Sequence, residues 1–277
     1  MSQKNAVCVI VKNEEKRIKE WICYYVALGF DTIFVYDNNS TDQTASIVKK
    51  LSKIFDVRYR LWERSDFFYQ VEAYNDCIHL NKTEFRWIAF LDSDEFLVPY
   101  GVKDVKHFLR GYDDCASIVI NWAMFGSSGH IIPPKGLTVE NFVWRATEKF
   151  YNARHVKSIV FPRLTKRCIN PHVFEVEGRT VNVLKQEPSW EVDGIISGEP
   201  IYKICQVNHY YTKSRNEWIE KIKRGYNDLD TSDFDEKKIM EGFNYADHND
   251  IFDISVYYNL ENLKKVLEFA DIYEHSS

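Results

Sequence analysis

The feature that most restricts this chain is an alternation in its first hundred residues, where short β-rich runs are separated by longer stretches with apolar residues at helical spacing. That rhythm belongs to βαβ units wound into a parallel sheet. Residues 6–11 (AVCVIV) form a nearly continuous apolar run, as a central strand covered on both faces requires. Residues 14–28 place Ile18, Trp21, Ile22, Tyr25 and Leu28 on one helical stripe, with Glu14 and Glu15 in the first turn and Gly29 behind the last. The pattern then predicts a strand at 32–36, a polar loop from Asp37 to Asp42, a helix over 42–54, a strand near 56–62, a helix near 68–80 and a fourth strand at 86–91. The outline is that of a mononucleotide-binding half.

Beyond Asp94 the rhythm changes. A strand at 96–98, a helix near 103–110 and a β stretch at 115–125 lead into a loop rich in Gly, Ser and Pro from Gly126 to Gly136, a loop either flexible or built to accept something. Further strands are expected at 157–164, 173–183 and 201–211, the middle one folding as a hairpin around Glu177-Gly178-Arg179, and the spacing is helical again from 214. No linker composition or internal repeat interrupts the 277 residues, and 45% apolar content is enough for a substantial core, which excludes disorder, collagen and coiled coil. A formal net charge of −5 supplies no global field for nucleic acid or anionic lipid. The six cysteines stand singly with no C-x-x-C, as reduced buried thiols do, and no leader-like or membrane-spanning apolar run appears, so the chain reads as soluble and cytoplasmic. Aromatic residues make up 15%, a surplus that serves a core as readily as it serves stacking on sugars or bases.

Strand one is followed by Lys12-Asn13-Glu14-Glu15 instead of Gly-x-Gly-x-x-Gly, which argues against a dinucleotide site, and the phosphate-loop, zinc-protease and serine-hydrolase signatures are absent. The sharpest remaining feature is Trp87-Ile88-Ala89-Phe90-Leu91-Asp92-Ser93-Asp94-Glu95-Phe96, in which an apolar strand delivers Asp92 and Asp94 to its carboxyl end. Ligands of open α/β sheets bind at that edge. Two adjacent carboxylates stay ionised only with a cation or a set of donors between them, and a hard divalent metal completed by phosphate oxygens meets that need; a solvated turn with helix-capping aspartates is the alternative. Asp37, ending strand two, can accept from a base imide or a ribose hydroxyl or can serve an Asx-turn, and Asn13 and Glu14 carry the same ambiguity. Asn208-His209-Tyr210-Tyr211-Thr212-Lys213-Ser214-Arg215 offers an imidazole suited to a divalent metal, with Lys213 and Arg215 placed to neutralise a leaving diphosphate. A structural histidine beside a solvated basic helix face is the alternative.

Taken together, VKNEEKRIKEWICYYVALGFDTIFVYDNNSTDQT, WIAFLDSDEF, NWAMFGSSG and HYYTKS…EWIEKIKRG resemble glycosyltransferases of the GT-A fold, more narrowly the family 2-like and family 92 (DUF23) group, over about residues 5–225. The resemblance implies an α/β GT-A type fold: an open, twisted, mostly parallel sheet flanked by helices. Residues 1–225 would form the transferase domain, with 1–100 as its nucleotide-binding half and 101–225 as its acceptor half. Residues 226–277 would be a C-terminal helical extension packed on the same domain. The implied activity is metal-dependent, inverting transfer of a hexose from a nucleotide sugar, a UDP-sugar first, to a hydroxyl of a saccharide or lipid-linked acceptor. By position, Asp37 would meet the uracil or ribose, and residues 11–14, Val11, Asn13 and Glu14 among them, would line the nucleoside. Gln70, Asn75 and Ser93 would line the donor pocket and Asp92 would face the ribose or a metal-bound water. Asp94 would ligate Mn²⁺ or Mg²⁺ together with Asp92 and His209. Lys157 matches a recurrent basic position of the group. The acidic pair that many inverting members carry in the acceptor half is absent between 164 and His209, leaving His172, Glu175, Glu191 and Asp193 as base candidates, with His172 and Glu175 preferred for following a core strand.

Two rival readings remain at this point. A haloacid-dehalogenase-like phosphatase also sets Asp-x-Asp behind an apolar strand, but on its first strand and without a following Glu. A non-catalytic sugar- or nucleotide-binding module would explain the missing acidic pair. An acceptor carried on lipid would bring peripheral membrane association; nucleic acid is not an expected partner.

Overall fold

The computed structural model describes residues 4–64, 66–224 and 235–276. The expected βαβ series is present: β1 (Asn5–Val11), α1 (Ile18–Leu28), β2 (Thr32–Asp37), α2 (Thr44–Leu51), β3 (Val57–Leu61), α3 (Tyr69–Leu80) and β4 (Trp87–Phe90). Next come β5 (Glu95–Pro99), α4 (Val105–Leu109), β6 (Ser117–Met124), α5 (Thr138–Asn141), β7 (Trp144–Arg145), β8 (Val156–Val160), β9 (Thr165–Asn170), β10 (Val173–Val176), β11 (Thr180–Asn182), β12 (Trp190–Val192), β13 (Ile195–Ile196) and β14 (Cys205–His209). The chain ends with α6 (Arg215–Arg224), α7 (Glu236–Ala246), β15 (Ile251–Phe252) and α8 (Leu260–Ser276).

The main sheet runs β3-β2-β1-β4-β8-β6-β14-β5, with β11 added beside β6. β1 to β4 are parallel, as are the pairs β6·β14 and β6·β11, so the sheet is mostly parallel. β8 runs against both β4 and β6, and β5 runs against β14. This arrangement decides the site, because β5 and β8 bring their first residues to the edge where their parallel neighbours end.

Helix α1 shows how the aromatic surplus is used. Trp21, Tyr24 and Tyr25 are fully buried on the sheet, yet each polar tip finds a carbonyl of the β4–β5 corner: Trp21 Nε1 donates to Asp92 O (2.9 Å) and Glu95 O (3.1 Å), Tyr25 Oη to Glu95 O (2.9 Å) and Tyr24 Oη to Leu97 O (2.7 Å). The helix stops at Gly29, whose φ of +93° lets the Phe30 amide turn back to Tyr25 O. All six cysteines are buried and free.

The second half departs from expectation in three places. The strand expected over 157–164 ends at Val160, because Pro162 starts a 3-10 turn. The hairpin expected around 177–179 instead joins β9 to β10 across Pro171-His172, and β11 leaves it to pair with β6. The Gly126–Gly136 loop is pinned: Ser127 Oγ donates to Asp247 (2.9 Å), and the carbonyls of His130 and Ile131 receive the Arg215 and Asn216 amides that open α6. Carboxyl-terminal to this, α8 lies along α1 with Lys19 bridging Asp271 (2.7 Å) and Glu274 (2.9 Å), β15 pairs with β7, and Arg145 meets Asp253 at 2.7 Å. The domain boundary expected at 225/226 lies outside the described residues. No described helix is long and apolar enough to cross a membrane.

Candidate active site

The carboxyl ends of β1, β4, β6 and β14 and the first residues of β5 and β8 meet at one sheet edge, and the Asp92–Glu95 corner sits at its centre. Its first carboxylate is fully engaged. Asp92 Oδ1 accepts from Gln70 Nε2 (2.9 Å), with Tyr74 Oη at 3.4 Å, and Oδ2 accepts from Lys157 Nζ (2.7 Å). Lys157 is only 1% exposed and also lies 3.5 Å from Glu95, which is wholly buried. Burial opposes charge on all three. The Lys157 ammonium nevertheless holds Asp92 below the usual carboxylate range, and the two carboxyls keep Lys157 charged. Burial and then the charge of Asp92 push Glu95 well above the usual range, and its Oε2 accepts from the Asp92 amide at 2.8 Å.

Asp94 is treated differently. Burial works against its charge, but Lys221, His209 and Lys213 outweigh it and hold the carboxyl well below its ordinary value. Its contacts are long: His209 Nε2 to Oδ1 and Lys221 Nζ to Oδ2 are both 3.4 Å. Asp94 opens into a cavity of about 240 Å³ between the β1 loop and α6, lined also by Asn13, Glu14, Arg17, Lys213 and Lys221. Arg17 is fixed there by an ion pair with Glu217, which in turn caps α6 through Ser214 Oγ (2.6 Å).

The remaining expected residues fall into two groups. Asn13 and Glu14 line the cavity, Asn13 with φ +57° and its Oδ1 on the Thr41 amide (2.8 Å). Ser93 and Arg215 are half-buried and do not line it. Asp37, by contrast, is 1% exposed, with Oδ1 on the Ser40 amide (2.9 Å) and Oδ2 receiving Tyr59 Oη (2.9 Å), so it builds its own loop. Val11 is core. Asn75 braces the β9 hairpin through the Cys168 amide (2.7 Å) instead of lining a pocket. Glu175 is on that hairpin, paired with Arg167 (2.9 Å) and Lys166 (3.5 Å) and with none of the edge residues, which removes it as a base. His172 does reach the edge, but burial and the nearby Lys157 push its imidazole down to about 3, too low to draw a proton from a hydroxyl near neutral pH. Sequence reasoning passes over Trp122 and His155, although Trp122 stands inside the NWAMFGSSG run; nothing in the spacing marks either.

A divalent cation fits Asp94 and His209. Two ligands each about 2.1 Å from one ion, at 90–109° to each other, stand about 3.0–3.4 Å apart. The Asp94–His209 separation matches that and is too long for a good hydrogen bond. Asp92 spends Oδ1 on Gln70 and Tyr74 and one lone pair of Oδ2 on Lys157, and its side chain is 33% exposed. Mg²⁺ is commonly held by one or two protein ligands with substrate phosphates and water supplying the rest.

Open α/β sheets take their ligands at the carboxyl edge, and this chain gathers acidic and basic groups there. The particular family comes from sequence: the profile of glycosyltransferase family 92 matches residues 3–244, and the chain belongs to that family. A family 92 protein of Oryza sativa subsp. japonica is 30% identical over 175 residues, 61% of this chain and 28% of its own length. One of Arabidopsis thaliana is 26% identical over 219 residues, 74% of this chain and 34% of its own. The chain thus spans about a third or less of these relatives. A crystal structure of S. aureus TarS 1-349 in complex with UDP-GlcNAc overlaps 58% of this chain and 46% of that one at 23% identity, with a TM-score of 0.40, too loose an overlap to carry residues or ligands across.

Proposed function

We propose that this chain is a glycosyltransferase that moves a hexose from a nucleoside-diphosphate sugar, UDP-linked first, to an acceptor hydroxyl, aided by Mn²⁺ or Mg²⁺. The observation that carries this reading is Asp94: a carboxylate kept ionised by Lys221 and His209 at the mouth of a cavity whose other cations, Lys16, Arg17 and Lys213, suit a diphosphate. Family membership supports the reaction class. When bound, the cation would offset the negative charge that grows on the leaving diphosphate.

The chain's own residues account for the rest. Asp94 and His209 would hold the cation. Lys213 and Lys221 would neutralise the phosphate oxygens, their positions set by the Ser214–Glu217 cap that starts α6. Asn13 and Glu14 would face the nucleoside side of the cleft. Asp92, clamped by Lys157 and Gln70, would present a fixed acceptor to a donor hydroxyl or to water on the cation.

Thermal-shift titration with UDP and UDP-hexoses, with and without Mn²⁺, on wild type and Asp94→Ala, tests this. A ligand at 100 times its Kd stabilises by about 2.7 kcal/mol, a rise of a few degrees in Tm. The expected result is a shift that needs Mn²⁺ and vanishes in Asp94→Ala. No shift in wild type with any nucleotide would sink the proposal, and binding with no transfer to any acceptor would leave a non-catalytic module in its place. Inversion is read from the anomeric configuration of the product.

A further inference from the structure

The edge of the sheet opposite Asp94 carries a cavity of about 460 Å³, almost twice the volume of the one that Asp94 opens into. It lies where β4, β6 and β11 begin and β8 ends, since β8 runs against its neighbours. The eight residues of β6 run from one edge to the other and set the two about 25 Å apart. Three guanidiniums line the cavity from separate parts of the chain: Arg86 in front of β4, Arg110 behind α4 and Arg179 in front of β11. Two of them are held. Arg86 lies over the rings of Phe161 (4.1 Å) and Trp87 (4.8 Å) and donates from Nη2 to the Asp113 carbonyl (2.8 Å). Arg179 donates from Nη1 to Asp114 Oδ2 (3.0 Å) and from Nη2 to the Lys185 carbonyl (3.3 Å). The guanidinium of Arg110, an exposed residue, makes no hydrogen bond or ion pair among the described residues. It is a neighbour of Arg86, because the two also share the wall of a smaller cavity.

Charge and walls together restrict what such a cavity takes. Its lining sets three arginines against Asp113 and Asp114, a surplus of one positive charge in a chain whose net charge is −5. The two aspartate side chains are 75% and 65% exposed, so water screens them, whereas the Arg86 side chain is only 17% exposed. A guanidinium held on aromatic rings has given up its rotamer freedom before a ligand arrives, and Nε and Nη1 of Arg86 make no hydrogen bond among the described residues. Between the guanidiniums the wall is apolar, formed by Phe161, Leu164 and buried Ala116. Gly178 closes down on that wall: a Cβ there would come within 3.0 Å of Ala116 Cβ. One surplus positive charge suits a monoanion better than a phosphate dianion, and a fork of N–H donors matches the two oxygens of a carboxylate. The apolar wall suits a hydrocarbon body behind that head.

We infer that this cavity is a second ligand site and that its ligand is a small organic carboxylate with an apolar or aromatic body. Arg86 and Arg110 take the carboxylate, and the body lies on Leu164 and Ala116. Arg110, without a partner until then, closes on the anion. The inference does not depend on the transfer reading, because none of the residues proposed to hold nucleotide or cation lines this cavity. The ligand here is neither donor nor acceptor of the reaction proposed at the Asp94 edge.

Saturation-transfer NMR on the whole chain tests this with benzoate, hexanoate, phenyl phosphate and benzamide, the last a neutral isostere of benzoate. The variants are Arg110→Gln, which removes the charge, and Arg110→Lys, which keeps the charge and loses the fork. Because the Arg110 guanidinium has no partner to lose, both are expected to keep the melting temperature of wild type and its response to UDP with Mn²⁺. Benzoate and hexanoate are expected to bind wild type, with benzamide about tenfold weaker than benzoate. Arg110→Gln is expected to weaken both carboxylates about tenfold, and Arg110→Lys to fall between it and wild type, since a charge-assisted hydrogen bond is lost and only a point charge is restored. Wild type that binds neither carboxylate, benzamide that binds as tightly as benzoate, or Arg110→Gln that binds as wild type does would overturn the site. Phenyl phosphate binding more tightly than benzoate would overturn the carboxylate class. Displacement of benzoate by UDP with Mn²⁺ would put the carboxylate in the Asp94 cavity and overturn the assignment to the opposite edge. Carboxylate binding that depends on Arg110 in a wild type with no UDP response would support this site and remove the transfer reading.

Discussion

The two halves of the sheet reach the same edge by different routes. In the parallel half, β1 and β2 deliver only the loops beyond their carboxyl ends, and the two loops brace one another and themselves: Asn13 holds Thr41, and Asp37 holds Ser40 and Tyr59. In the mixed half, β5 and β8 run the other way, so residues inside a strand arrive at the edge, and both Glu95 and Lys157 are buried ionisable groups. A parallel sheet offers a ligand its loops. An inserted antiparallel strand offers it a buried charge on rigid backbone, at the cost of desolvating that charge.

The difference can be broken most forcefully at Lys157. Lys157→Met strands Asp92 beside Glu95 with no cation, and a loss of about 3–5 kcal/mol is expected in urea unfolding; a loss under about 1 kcal/mol would mean that Asp92 takes a proton cheaply and the clamp is incidental. In the parallel half, Asp37→Ala removes the acceptor for the Ser40 amide and Tyr59 hydroxyl and is expected to cost about 1–2 kcal/mol by the same measurement. A cost equal to that of Lys157→Met would erase the contrast between halves. The acid limb sharpens it further. Burial raises the carboxyl of Asp253, but Ser255 and Arg145 bring it below the usual range, so its stabilisation is present above the unfolded value of about 3.9 and fades as pH falls toward the folded one. Asp253→Asn is expected to flatten stability against pH below about pH 4, and an unchanged slope there would show that Arg145 does not depend on this partner. The smallest effect is expected at Glu175→Gln on the β9–β10 hairpin, where the melting temperature should not move; a clear drop would show that its pairs with Arg167 and Lys166 stabilise more than surface ion pairs usually do.

Legibility obeys the same division. β1, β2 and β4 are readable because a strand buried on both faces must be almost wholly apolar, and AVCVIV, TIFVY and WIAF are. The Asp92–Asp94 corner is readable for the same reason, since a sharp change from apolar to acidic marks the end of a buried strand. β9 (TKRCIN) is half exposed and carries two basic residues, so it gives no such signal, and the pairing of β11 with β6 depends on contacts distant in sequence. Lys157 shows only as a charge within an apolar run. That Asp92 is its partner is knowledge of a strand order the local pattern does not contain. His155 and Trp122 come together only through the β6–β8 pairing.

Because β8 is held between β4 and β6 with Lys157 opposite Ile120, its registration works like a one-tooth ratchet. Successive side chains along a strand point to opposite faces, so a single residue inserted or deleted between β7 and β8 that shifted the pairing by one place would put Ser158 or Val156 where Lys157 stands and turn the lysine to the other face. The stretch from 146 to 155 should therefore hold its length strictly, whereas the segment between β3 and α3, which ends in exposed Phe67 and Phe68 and sets no register, is the place where this scaffold can take on added residues.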